Sequence, residues 1–191
     1  MDTAIDEQHF ELHSDRRWLP IYTQPLHERR LLKFFQERGF PCYLPMLKKA
    51  TYKTVRSQNR TYQYLKEIYR PMFSGYLFAC LAQEEEESAW RTRSIVRIFR
   101  EQNFTQEQLV AELNIIRRFE LAAETQKVEI LPHLVPGTKV MIAAGPWEGI
   151  YGVIESRRKP LKFIVNLDIM EQAIATEIDI TNIKLVQIEE K

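Results

Sequence analysis

Apolar and polar positions along the chain change rhythm several times, and each change predicts an element. Residues 17–23 (RWLPIYT) are aromatic and β-branched and predict a first strand, with Pro20 marking an edge or a local irregularity. Residues 25–38 predict a helix: Pro25 suits the first turn, Leu31, Leu32, Phe34 and Phe35 give an apolar face, and Gly39 stops it. Residues 40–44 (FPCYL) form a short apolar strand closed by Pro45. Over 48–69 the period becomes two on both sides of Ser57-Gln58-Asn59-Arg60, which predicts a partly solvated, basic β-hairpin. The apolar run 72–81 (MFSGYLFACL) reads as a central strand, in which Gly75 allows a bulge or a close backbone approach. Its face carrying Tyr76 and Phe78 is either buried or left for a partner.

Glu84–Arg93 predicts a short helix whose four consecutive glutamates sit where the helix dipole favours anions, as a solvated start. Residues 94–99 predict a strand. A helix follows from Thr105 to about Ala123, with Thr105 and Gln108 as a capping box and Leu109, Leu113, Ile116 and Glu120 along one face. Residues 125–134 lack helical period, carry Pro132 and read as a linker. Beyond Val135 the pattern is five short β runs: 138–144, 150–156, 161–167, 173–178 and 183–188. Five strands at that spacing predict a small barrel, entered through the turn Gly145-Pro146-Trp147 and bent at Gly149 and Gly152. The reading is therefore α+β: an acidic extension (1–15), an α/β sandwich with an antiparallel sheet and flanking helices (16–124), a linker (125–134) and a five-stranded, SH3-like β-barrel (135–191).

Composition adds little until it is resolved along the chain. With 45% apolar and 28% charged residues, the 191-residue chain has an ordinary globular balance. The net charge of +1 argues against a nucleic-acid partner, but residues 15–80 hold 13 basic and 4 acidic side chains, a local +9. A local field follows local charge, so this segment can attract an anion. Residues 135–191, at −1, suit a protein partner better. No apolar run is long enough for a membrane helix, the acidic N-terminus is no secretory signal, and the two cysteines, Cys42 and Cys80, make no disulfide framework. A soluble, cytoplasmic monomer is expected.

Signatures of chemistry are missing. No phosphate-cradling glycine loop, zinc-helix motif or nucleophile elbow occurs, and both cysteines lie in apolar strands as inert thiols. His9 and His13 stand four apart, but in a polar tail without a third ligand, and His27 and His133 are isolated. We expect no enzyme, no metal and no cofactor.

Four stretches in order resemble the NusG family of transcription elongation factors. Trp18-Leu19-Pro20-Ile21-Tyr22-Thr23 is similar to its opening W-Y-x-[VL] strand, and Phe40 to Pro45 to its second strand. Pro71-Met72-Phe73-Ser74-Gly75-Tyr76-Leu77-Phe78 resembles P-L-F-P-G-Y-[VL]-F, with Ser74 departing from the usual proline. Residues 140–154 resemble the KOW motif, including G-P-[FW]-x-G-x-x-G. The resemblance implies an N-terminal domain that binds the clamp helices of RNA polymerase through Tyr22, Phe73, Tyr76 and Phe78, holds the clamp closed and suppresses pausing or termination. It implies a KOW domain, with Gly145, Pro146, Trp147, Gly149 and Gly152 at its turn, that recruits a ribosomal protein or termination factor Rho. In specialised RfaH-like members the first helix faces the non-template DNA strand, and Gln24, His27 and Arg30 fall there. Lys48, Lys49, Lys53, Arg56 and Arg60 of the hairpin join them as nucleic-acid-binding candidates, giving affinity through phosphates. The extended N-terminus and Ser74 point to an operon-directed antitermination factor, RfaH-like or UpxY-like. An RNA- or ribosome-binding KOW protein without polymerase activity is the competing reading. Ile, Val and Thr in 161–188 favour strands, so the C-terminal domain is expected to be β in the free protein.

Overall fold

The computed structural model describes residues 9–57, 60–100, 104–131, 138–144, 147–154, 161–167, 169, 172–178 and 184–187. The elements in the first half are β1 (Arg17–Thr23), α1 (Glu28–Glu37), β2 (Cys42–Tyr43), β3 (Met46–Ser57), β4 (Arg60–Pro71), β5 (Tyr76–Leu81), α2 (Gln83–Trp90), β6 (Ile95–Ile98) and α3 (Gln106–Ala122). The second half contains β7 (Val128–Leu131), β8 (Thr138–Ala144), β9 (Tyr151–Ile154), β10 (Leu161–Leu167), β11 (Gln172–Ile178) and β12 (Lys184–Gln187).

An antiparallel sheet, ordered β2-β5-β1-β6, organises the first half. Strand alternation sends Leu19, Ile21, Leu77, Ala79 and Leu81 to one face, where they meet Leu31 and Phe35 of α1 and Ala89 of α2. Trp18, Phe78 and Cys80 take the opposite face, beneath Leu109, Leu113, Ile116 and Phe119 of α3. The fourth buried residue of α3 is Phe119, where Glu120 was expected. Glu120 instead accepts from the Tyr43 hydroxyl (2.9 Å), from the Met46 amide (2.8 Å) and from Arg117 (2.6 Å). The Thr105 cap is present: its hydroxyl accepts from the Gln108 amide (3.3 Å), and the Gln108 side chain accepts from the Thr105 amide (2.8 Å). In α2, Glu85 accepts from the Ala82 amide (2.9 Å) and pairs with Arg16 (2.6 Å), while Glu86 pairs with Arg100 (2.8 Å). The acidic helix start is thus partly a structural clasp.

Three further expectations change. Pro20 lies in an interior strand, so of its two readings the edge falls, and the β1–β6 register shifts nearby, between Tyr22 and Thr23. The Pro20 carbonyl accepts from Phe99 (2.9 Å), so its nitrogen faces the same side, just beyond the β6 ladder that ends at Ile98, where no ladder donor is needed. The segment read as an acidic tail carries Phe10, 2% exposed, packed edge-on to Trp18 (5.2 Å) and against Tyr43 (4.7 Å). The Asn114 amide clasps the Phe10 backbone twice, accepting from its N–H (2.9 Å) and donating to its carbonyl (3.0 Å). The segment read as a linker contains β7, which pairs with β11 from Val128↔Thr176 to Leu131↔Ala173. The β-rich half is therefore a six-stranded antiparallel sheet, ordered β12-β8-β9-β10-β11-β7.

Apolar packing is continuous between the halves. Trp147, 2% exposed, packs on Phe119 of α3 (4.6 Å), and Arg118 donates to the Glu148 carbonyl (3.1 Å). No helix among the described residues is long and apolar enough to cross a membrane.

Candidate functional site: an aromatic patch and a basic ribbon

The β1–α1 junction builds the first part of the site. Thr23 donates to the Gly75 carbonyl (2.7 Å), and the Gly75 amide donates to the buried Glu28 carboxylate (2.7 Å). Gly75 has φ +85°, and a Cβ there would stand 2.6 Å from Cε2 of Tyr22. Only glycine combines that backbone with that approach. The turn therefore seats Tyr22 beside Tyr76, ring centroids 5.1 Å apart, and Tyr76 stacks on Phe99 (6.0 Å). Arg97, opposite Tyr22 in the register, lies over the Phe99 ring (4.6 Å).

Tyr22 is 39% exposed and Tyr76 half-buried, whereas Phe73 and Phe78 are each 1% exposed. The structure thus divides the four predicted polymerase contacts. Tyr22 and Tyr76 form a surface patch with Phe99 and Arg97, and Phe73 and Phe78 are core under it. The face carrying Tyr76 and Phe78 is mostly filled by α3 and Phe10, and only its end near Tyr22 opens to solvent. Phe99 and Arg97 were missed because they lie at the end of a short strand whose pairing with β1 is a tertiary fact. Their signal was the aromatic-basic sequence Arg97-Ile98-Phe99-Arg100.

Gln24 and Arg30 are exposed at the start of α1, and His27 is half-buried with Nδ1 shielded from solvent. Between them Leu26 stands 90% exposed with φ +64°, a strained backbone for a leucine. Arg30 shares a groove between α1 and α2 with Arg38 and Arg91, two cations the sequence reading did not include.

The basic hairpin is a ribbon of two twelve-residue strands, exposed for most of its length. Its base is tied down where Arg29 donates to the Tyr69 carbonyl (2.7 Å) and Lys48 pairs with Glu67 (3.0 Å) and Glu124 (3.7 Å). The bond with Glu67 holds the Lys48 ammonium above its ordinary range. Lys48 is thereby part of the anchor, and its charge is internally balanced. The register pairs Lys53 with Tyr64 and Arg56 with Thr61, which puts Lys49, Lys53 and Arg60 on one face and Lys48 and Arg56 on the other.

Of the KOW-like turn, Gly145 and Pro146 lie outside the described residues. Trp147 is buried against α3, Gly149 has φ +80°, and a Cβ on Gly152 would stand 2.5 Å from the Ile164 carbonyl oxygen. No cluster of His, Cys, Asp or Glu suited to a metal occurs among the described residues. Burial pushes the Cys42 thiol up to about 11 and the Cys80 thiol up to about 12, so neither forms a thiolate nucleophile near neutrality.

Residues 16–116, more than half the chain, match the family model described as transcription termination factor nusG. The chain belongs to the NusG family. The match spans the four-stranded sheet, the ribbon and most of α3, which places the Tyr22–Tyr76–Phe99–Arg97 patch and the α1 arginines inside the NusG-matching region. No curated protein matches this chain. Among solved structures, the crystal structure of the MjSpt4:Spt5 complex in conformation B is similar at 13% identity over 91% of this chain and 99% of that one. Its TM-score is 0.26, too low to assign a shared arrangement.

Proposed function

We propose that this NusG-family chain is a transcription elongation factor that binds the clamp of RNA polymerase through Tyr22, Tyr76, Phe99 and Arg97 and suppresses pausing. The observation that carries the reading is the paired, partly exposed tyrosines at the end of an otherwise covered sheet face, fixed by the Gly75–Glu28 turn. Rigid aromatic rings beside a cation are the usual energetic centre of a protein interface, because large area is buried with little loss of side-chain entropy. No bond is made or broken. The factor acts by binding the elongation-competent state of the polymerase more tightly than the paused one, which shifts the population between them.

In this reading residues 16–124 form the polymerase-binding domain, and 135–191, joined by β7, a KOW barrel for a second protein such as Rho or a ribosomal protein. The near-neutral charge of residues 135–191 suits such a partner. Gln24, His27 and Arg30, backed by Arg38 and Arg91, face the non-template strand. We read the extended N-terminal segment and Ser74 as pointing to an RfaH-like or UpxY-like, operon-directed role. In single-round transcription on a template with a known pause, adding the chain is expected to shorten the pause lifetime several-fold. An unchanged or lengthened pause would remove the antipausing role.

A further inference from the structure

The two faces of the β3–β4 ribbon differ sharply in charge. Direct pairs share a face, so Lys48, Ala50, Tyr52, Thr54 and Arg56 lie with Thr61, Gln63, Leu65, Glu67 and Tyr69. That face holds two cations, and its Lys48 is neutralised by Glu67 and Glu124. The other face carries Lys49, Lys53, Arg60, Lys66 and Arg70, five cations with no carboxylate among the described residues. On the same face stand Tyr62 and Tyr64, 55% and 41% exposed, with ring centroids 6.4 Å apart and planes 35° apart. Strands of twelve residues make this stripe roughly 40 Å long.

We infer that this face binds single-stranded RNA. Five cations spread over one face of the two strands, two on β3 and three on β4, fit a polyphosphate backbone. Two exposed rings in succession fit unstacked bases, whose π-faces are open; a duplex keeps its base faces stacked and has nothing to offer them. The hydroxyls of Thr51, Tyr62 and Tyr64 lie on the same face and are donors and acceptors for the ribose 2′-OH, which DNA lacks. The binding stands on the ribbon alone. Its assignment to the growing transcript, the one single strand at a polymerase whose length the bubble does not limit, rests on the polymerase reading above.

The test uses the full chain without polymerase. Fluorescence anisotropy is recorded with a labelled 12-nucleotide RNA, the single-stranded DNA of the same sequence, and the corresponding duplex DNA. The RNA should bind at least as tightly as the single-stranded DNA and more tightly than the duplex. Its log–log salt slope should be roughly −3.5, for five phosphates at about −0.7 each. Tyr62→Ala with Tyr64→Ala should weaken RNA binding tenfold or more, as base stacking on an aromatic ring is worth about 1–3 kcal/mol. Tyr52→Ala, on the opposite face, should change it less than twofold. Tighter binding of either DNA, no binding of RNA, or an RNA affinity indifferent to Tyr62 and Tyr64 would overturn the inference. Because polymerase is absent, each of these results leaves the polymerase reading standing.

Discussion

Phe10→Ala is expected to destabilise the chain by about 3–5 kcal/mol, the range for emptying a buried phenylalanine site. Phe10 is 2% exposed and wedged between Trp18 and Tyr43, on the side of the sheet that α3 covers. Losing the ring would leave a void under Trp18, whose indole N–H donates to the Glu11 carbonyl (3.0 Å), so the segment and Trp18 would loosen together. Asn114→Ala should produce part of the same loss by leaving the Phe10 N–H and carbonyl without their partner. Urea unfolding followed by tryptophan fluorescence measures both. A change below about 0.5 kcal/mol for Phe10→Ala would return the segment to the status of a tail.

The second large effect is expected at Gly152. A Cβ there would meet the Ile164 carbonyl oxygen at 2.5 Å and Cε2 of Phe163 at 2.5 Å. Phe163 is fully buried and Ile164 is paired with Val153 in the β9–β10 ladder, so neither neighbour can move without opening the sheet. Gly152→Ala should cost about 1–3 kcal/mol or more as an overpacking change, concentrated in loss of amide protection along β9 and β10. Gly149 is the control from the same motif. Nothing lies within 4 Å of its missing Cβ, but its φ is +80°. Gly149→Ala should therefore cost only about 1–2 kcal/mol from backbone conformation, with the ladder intact. Equal and small effects at both positions would show that the spacing of these glycines answers to something other than packing.

These cases show what the sequence could and could not disclose. Strands whose pattern is complete in themselves were legible to the residue: β1, β8 and β10 run as read, and the Thr105 cap needed only four residues to declare itself. Gly75 was legible as a bulge or a close approach, and its φ of +85° with the Tyr22 ring against it decides for the approach. Phe10 was not legible, since its burial depends on Asn114, more than a hundred positions away, and no local period marks it. β7 has four residues before Pro132 and becomes a strand only through β11. The ribbon was legible as basic and alternating, but which cations share a face depends on the cross-strand register, and that separates Lys49, Lys53 and Arg60 from Lys48 and Arg56. At the aromatic patch, the motif picked out four residues of the right chemistry, and the fold sorted them into two surface tyrosines and two core phenylalanines. That sorting also decides which variants test function: Phe78→Ala would report on stability, whereas Tyr22→Ala and Tyr76→Ala alter the surface.

The most direct measurement is an equilibrium titration of the labelled full chain with its cognate core RNA polymerase, beside the Tyr22→Ala, Tyr76→Ala double variant. Saturable binding is expected, weakened about 30-fold or more in the double variant, the scale of two interface anchors, while the variant's unfolding midpoint stays near that of the parent chain. Binding of equal strength in both chains, or none in either, would contradict clamp binding through these tyrosines.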